Sequence, residues 1–191
     1  TGTEDQPRTA AASGIGDPDG LGAFSYQWLR DGVDVVGASA STYLLGDADV
    51  GALVSVRVSY TDGGGTAETL TSAQTAAVGN LNDAPTGAPL ITGTPTEDQT
   101  LGVDTSTIAD ADGLGAFGYQ WLRNGVAVAG ATAATYVLGD ADVGAQMSVQ
   151  VNYTDGHGTV EGLTSAQTAA VANVNDAPTG LPTIGGTAAE D

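Results

Sequence analysis

The sequence predicts an all-β chain built as two tandem antiparallel β-sandwiches. Three observations carry this expectation. The first is a repeat: Tyr26-Gln27-Trp28-Leu29-Arg30 returns as Tyr119-Gln120-Trp121-Leu122-Arg123, and Thr3-Glu4-Asp5-Gln6 as Thr96-Glu97-Asp98-Gln99, each 93 residues on. A fixed period with no insertion marks a tandem array. The second is alternation. Met147, Val149, Val151 and Tyr153 interleave with Gln146, Ser148, Gln150 and Asn152, which is the period-two signature of a half-buried strand. The third is the frequency of turn signals without any helical periodicity, and seven or eight short strands per repeat follow from it.

The elements read in order in the second copy. Pro89-Leu90-Ile91 begins a first strand and residues 100–108 a second, followed by a glycine-rich acidic loop over 109–118. Residues 119–123 form a third strand, and Asn124-Gly125 is a strong hairpin signal. Strands over 126–129 and 135–138 come next, then an acidic turn at 139–144, the alternating strand to Tyr153 and a last strand over 162–172. The copies are joined by Asn80-Leu81-Asn82-Asp83-Ala84-Pro85, matched by Asn173-Val174-Asn175-Asp176-Ala177-Pro178. The proline ends any ladder there. The expected domains are therefore 1–84, which lacks its first strand, 85–177, and 178–191, which begins a third repeat. Residues 179–191 then offer a first strand with no body, expected either to pack on another copy in the vacant position or to stay disordered. Thr1 falls in mid-repeat, so a longer parent protein is expected.

Charge narrows the function. The chain carries 23 acids against four arginines and no lysine, a net charge of -19. Nucleic acid needs basic side chains on its phosphates, and an anionic membrane surface makes the same demand. Neither is an expected partner, and no apolar run is long enough for membrane insertion. With 41% hydrophobic residues the chain folds despite its acidity, and self-repulsion of this size calls for cations. There is no cysteine, which removes disulfides and thiolate metal sites.

All the acids except Asp31, Asp34 and Asp104 recur as acids in another copy, and most lie in loops. In the expected topology, Glu4, Asp5, Asp47 and Asp49 lie at the exit pole of the first module, followed by the linker residues Asn80, Asn82 and Asp83. Asp110, Asp112 and Asp155 lie at the entry pole of the second, so all ten residues converge on one joint. Carboxylate and amide oxygens in this number suit Ca2+, which takes six to eight oxygen ligands.

Other chemistry finds little footing. Asp17-Pro18-Asp19-Gly20 and Asp110-Ala111-Asp112-Gly113 look like the opening of an EF-hand loop, but no glutamate stands at the twelfth position. Asp47 and Asp140 can equally cap short turns. Trp28 and Trp121 read as core. His157 is the only histidine, and the first copy has Gly64 in its place, so no nucleophile–base pair can be assembled. No enzyme is expected.

The Tyr-Gln-Trp-Leu-Arg strand with one tryptophan near mid-domain resembles the third strand of immunoglobulin-like domains, without their cysteine pair. The Asn-Asp-Ala-Pro joint resembles that of cadherin repeats. Taken whole, the chain is similar to the tandem immunoglobulin-like and cadherin-like repeats of giant bacterial RTX-type surface adhesins. The resemblance implies an extracellular or cell-surface location in biofilm-forming adhesion, and a role as extender repeats bound to neighbouring repeats of the same chain. It also implies position-by-position ligand roles: Glu4 as first-loop glutamate, Asp47 and Asp49 as the acidic turn, Asn80, Asn82 and Asp83 as the linker. Asp110 with Asp112 matches the family's Asp-x-Asp pair, and Asp155 its late Asp-Gly. Asn80 departs from the family's aspartate and removes one negative charge. The alternative is a module that grips carbohydrate or a protein receptor, for which Phe24 and Phe117 beside the acidic loops are the available aromatics.

Overall fold

A computed structural model, which describes residues 2–186, is almost entirely β. Its strands are β1 (Pro7–Thr9), β2 (Ser25–Arg30), β3 (Val33–Asp34), β4 (Thr42–Leu44), β5 (Val54–Thr61) and β6 (Ala67–Thr71) in the first repeat. The second repeat supplies β7 (Leu90–Thr92), β8 (Thr100–Asp104), β9 (Gly118–Arg123), β10 (Val126–Ala127), β11 (Thr135–Val137), β12 (Met147–Thr154) and β13 (Val160–Thr164). The only other regular elements among the described residues are two 3-10 turns, Asp47–Asp49 and Asp140–Asp142. No helix among the described residues is long and apolar enough to cross a membrane.

Contacts divide the chain into two compact units. The first comprises Thr1–Pro85 together with Ala109–Gly115 and Thr154–Thr159; the second comprises Thr86–Ile108, Ala116–Tyr153 and Val160–Asp191. Two loops that sequence assigns to the second repeat thus belong by contact to the first unit. Residues 178–186 fall with the second unit, and 187–191 lie outside the described residues.

Within the second unit, one antiparallel sheet runs β10-β9-β12-β13 and another β11-β8-β7. The alternation in β12 does what its pattern demands: Met147, Val149 and Val151 are wholly buried and Tyr153 nearly so, while Gln150 and Asn152 face solvent. Ser148 is buried too, on the opposite face. Val149 sits opposite Trp121 in the β9–β12 register, and both lie in a core with Leu101, Ile108, Leu138 and Val171. Burying side chains of this size is worth about 1.5–3 kcal/mol each. The hairpin at Asn124-Gly125 forms as expected, with φ of 50° and 80° at its two residues, both in the left-handed region that the tight turn requires.

The first unit repeats the plan with sheets β3-β2-β5-β6 and β1-β4. Its core is smaller, built on Trp28, Leu45, Val54 and Val78. Two strands end earlier than the sequence suggests. The second strand of the later copy stops at Asp104, because the chain turns at Ser106, whose N–H is taken by Asp104 Oδ1 at 2.9 Å. The last stops at Thr164. Beyond it the chain makes isolated bridges, Gln146 with Ala170, Val143 with Val171 and Thr96 with Ala172, the last two parallel. It therefore changes partners and does not extend one ladder.

Candidate metal centre

Glu4 begins the site. The chain places it directly before Asp5, whose φ of 58° is left-handed, and the Glu4 N–H is tied to Gly79 O at 3.1 Å. Its side chain is fully buried. Oε1 accepts the Leu81 N–H at 2.7 Å, which fixes the linker against the first loop. Oε2 is buried and has no hydrogen-bond partner. Asp47, in the 3-10 turn, and Asp83, in the linker, bring carboxylate oxygens so that one from each of the three acids lies within 4.8 Å of the others.

The loop over 109–115 adds to this cluster within the same unit. Asp112 is buried; its Oδ2 accepts the Asp83 N–H at 2.8 Å, and its own N–H is held by Asp110 Oδ1 at 2.9 Å. Asn80 aims one terminal atom of its amide at Asp112 Oδ1, 2.8 Å away, and Glu4 Oε1, 3.2 Å away. With nitrogen there, the amide donates to both carboxylates. That orientation satisfies both ends of the amide, so Asn80 acts as a hydrogen-bond donor to the cluster.

The second loop, over 154–159, is laid against the first by Gly156, whose N–H donates to Asp112 O at 2.9 Å. A Cβ at this position would stand 2.6 Å from that same oxygen. Asp155 is buried, and its Oδ1 accepts the His157 and Thr159 N–H groups, both at 2.8 Å. Oδ2 is buried and unpartnered.

The electrostatics follow the geometry. Burial pushes the Glu4 carboxyl above its ordinary value; the Leu81 N–H opposes this, and the neighbouring Asp47 and Asp112 reinforce it. Asp83 is raised by desolvation and then by Asp47, Asp112, Asp5 and Asp110. For Asp155 burial acts upward, but backbone N–H groups of Thr159, His157 and Gly158 outweigh it and hold the carboxyl low. The cluster is a place where negative charge is crowded and under-compensated by protein donors.

Among the ten residues singled out by sequence, the structure brings Glu4, Asp47, Asn80, Asp83, Asp110 and Asp112 to this cluster, with Asp155 in the loop packed behind Asp112. Asp5 and Asn82 are exposed beside it. Asp49 is committed elsewhere. Its Oδ1 takes the Arg30 Nε–H at 2.7 Å, and Oδ2 takes the Tyr43 hydroxyl at 2.9 Å and the Gly46 N–H at 3.0 Å. Asp142 does the same in the second unit with Arg123, Tyr136 and Gly139. Each tyrosine stacks on the core tryptophan, Tyr43 on Trp28 and Tyr136 on Trp121.

A second cluster was not singled out from sequence. Glu97, Asp140 and Asp176, the equivalents of Glu4, Asp47 and Asp83, place one oxygen each within 4.8 Å of one another inside the second unit. Glu97 Oε2 accepts the Val174 N–H at 2.8 Å. That bond acts to lower the Glu97 carboxyl, but burial with Asp140 and Asp176 raises it on balance. The signal was available in the repeat itself, since all three positions recur.

The aromatics beside the acidic loops are used in packing. Phe24 meets Tyr60 and Phe117 meets Tyr153 edge to face, both with centroids 5.5 Å apart.

A scan against protein-family models finds no match to the chain, and a search of curated proteins finds none either.

Proposed function

We propose that the chain comprises two immunoglobulin-like β-sandwiches serving as extender repeats of a large extracellular bacterial adhesin, with calcium fixing the joint between repeats. The observation that carries this reading is the convergence of carboxylate oxygens from Glu4, Asp47 and Asp83, with Asp112 accepting the Asp83 N–H beside them and the buried Glu4 Oε2 left without a hydrogen-bond partner. Hard oxygens in this number and charge suit calcium better than a transition metal, which would seek nitrogen or sulfur. The cation would bind Glu4 and Asp47 from the first repeat's loops and Asp83 from the linker, with Asp112 of the next repeat's loop beside them and Asn80 holding Glu4 and Asp112 through its amide N–H groups. Its binding energy would then hold the linker to both repeats. Extracellular modules bind calcium at about 10⁻⁴–10⁻³ M, so such a site fills outside the cell and empties inside it.

The spacer role is supported by the regularity of the array. Glu4 and Glu97, Asp49 and Asp142, Trp28 and Trp121 occupy equivalent hydrogen-bonded positions in the two copies. The test is calorimetric titration with calcium, paired with thermal unfolding in a few millimolar calcium and in excess chelator. Heat of binding with a raised melting temperature is expected. A chain that takes up no calcium at millimolar concentration removes the metal from the reading.

A further inference from the structure

The hairpin between β9 and β10 turns on Asn124-Gly125, and Asn124 alone among the chain's asparagines is followed by glycine. Both residues are exposed. The Gly125 nitrogen has no neighbouring side chain to shield it, and its N–H makes no backbone hydrogen bond among the described residues. The asparagine side chain is held in place. Its Oδ1 accepts the Gln146 N–H at 2.9 Å, while the Asn124 N–H donates to Gln146 O at 2.8 Å. Nδ2 meets no acceptor among the described residues.

The first copy shows what the same slot accepts. There the turn is Asp31-Gly32, with φ of 48° and 81° against 50° and 80° at Asn124 and Gly125. Asp31 Oδ1 accepts the Leu53 N–H at 2.9 Å, and the Asp31 N–H donates to Leu53 O at 2.8 Å. An aspartate thus reproduces both bonds that anchor the asparagine, in the same backbone conformation.

We propose that Asn124 is a site of self-modification, where deamidation through a succinimide converts the second hairpin to the Asp-Gly form of the first. Hydroxide takes the proton of the Gly125 N–H, and the nitrogen attacks Asn124 Cγ. The Gln146 N–H already meets the oxygen on which negative charge then develops, within the distance an oxyanion donor needs. The Cγ–Nδ2 bond breaks, and the nitrogen leaves as ammonia with a proton from water. Water then opens the cyclic imide. Breaking its bond between Gly125 N and Cγ gives aspartate; breaking the bond between that nitrogen and the Asn124 main-chain carbonyl carbon gives isoaspartate. The net change is amide plus water to acid plus ammonia, with no oxidant or reductant. The acid is ionised at neutral pH, so the net charge moves from -19 to -20.

The two products differ in consequence. Aspartate keeps the pairing of Arg123 with Val126, whereas isoaspartate adds a methylene to the backbone and pulls that pair out of register. This inference is independent of whether the acidic cluster holds calcium.

The test incubates the full chain at mildly alkaline pH, folded and in denaturant, and follows it by anion exchange and peptide mass mapping. The folded chain should gain one negative charge, mapped to position 124, before any other asparagine changes. Asn124→Asp should elute with the aspartate product and melt at the parent's temperature, and the isoaspartate fraction should melt lower. Asn124→Gln, whose longer side chain disfavours the ring, should keep the parent's charge over the same time. A folded chain unchanged at 124 while the denatured one converts overturns the proposal. The same gain of charge in Asn124→Gln does so too.

Discussion

Glu4 Oε1 accepts the Leu81 N–H at 2.7 Å across 77 residues of sequence, and Glu97 Oε2 accepts the Val174 N–H at 2.8 Å across the same interval. In each copy a buried carboxylate at the start of the repeat thus captures the linker at its end. A single side chain sets both the path of the joint and the charge at its centre, and the two roles can be separated by substitution.

Glu4→Ala leaves the Leu81 N–H without its acceptor and should destabilise the first unit by about 1–3 kcal/mol. Glu4→Gln keeps an acceptor but removes the charge. Without calcium it should melt at the same temperature as the parent or higher, and with calcium it should lose most of the metal-dependent rise. Thermal unfolding of both variants, with and without calcium, separates the hydrogen bond from the ligand.

Acidity should act on the metal-free chain in a direction set by Glu4 and Asp83. Both carboxyls are held above their ordinary values of 4.5 and 3.8, so near those values the folded chain binds more protons than the unfolded one. Stability then falls as pH rises through this window and levels off above it. Lowering pH from neutral toward 4.5 should therefore raise the melting temperature in chelator. Below 3.8 the sign reverses, because Asp155 and Asp104 are held low and their contribution is lost on protonation. In calcium the upper part of the profile should invert, since protons compete for the ligand oxygens. A melting temperature in chelator that falls steadily from neutral pH downward would refute this assignment.

Asp142→Asn should be costlier than loss of any exposed acid. It removes the charge that faces Arg123 at 2.6 Å and weakens the bond that anchors Tyr136 beside Trp121. The Arg123 side chain is 32% exposed, so water compensates part of the loss, and about 2–3 kcal/mol is expected, below the range for a fully buried pair. Chemical denaturation and near-ultraviolet circular dichroism of the tryptophan would show both effects.

Gly156→Ala introduces a Cβ 2.6 Å from Asp112 O, a backbone atom that cannot swing aside. The loop over 154–159 must move off the loop over 109–115, at about 1–3 kcal/mol for overpacking. Since Asp112 rides on the displaced loop, calcium affinity should fall as well. Titration calorimetry of this variant beside Gly14→Ala, where a Cβ meets nothing within 4 Å and the backbone is not left-handed, isolates the clash with Asp112 O.

Much of this architecture is legible in the sequence because its determinants are local. Alternation in β12 and Asn124-Gly125 each act over a few residues. The end of the last strand is harder, because residues 165–172 carry no alternation and pair through single bridges to three different partners. The acidic turn shows the same limit at the site. Asp47 and Asp49 are two residues apart in one 3-10 turn, yet one faces Glu4 and the other Arg30, which lies 19 residues away. Nothing adjacent in sequence distinguishes them. The cluster at Glu97 needed only the repeat to be applied to Glu4, Asp47 and Asp83.

The parallel bridges Thr3–Gly79 in the first unit and Thr96–Ala172 in the second have a mechanical meaning. Each joins the segment just before the strand that pairs with the 42–44 or 135–137 strand to a segment near the end of the same unit. Tension along the chain pulls such a pair in opposite directions, so the bridge and the adjacent Glu4 and Glu97 bonds are loaded together in shear and do not open one at a time from an end. A repeat tied in this way resists pulling at that pair, and the strands between the two bridged segments stay behind the clamp until it gives way.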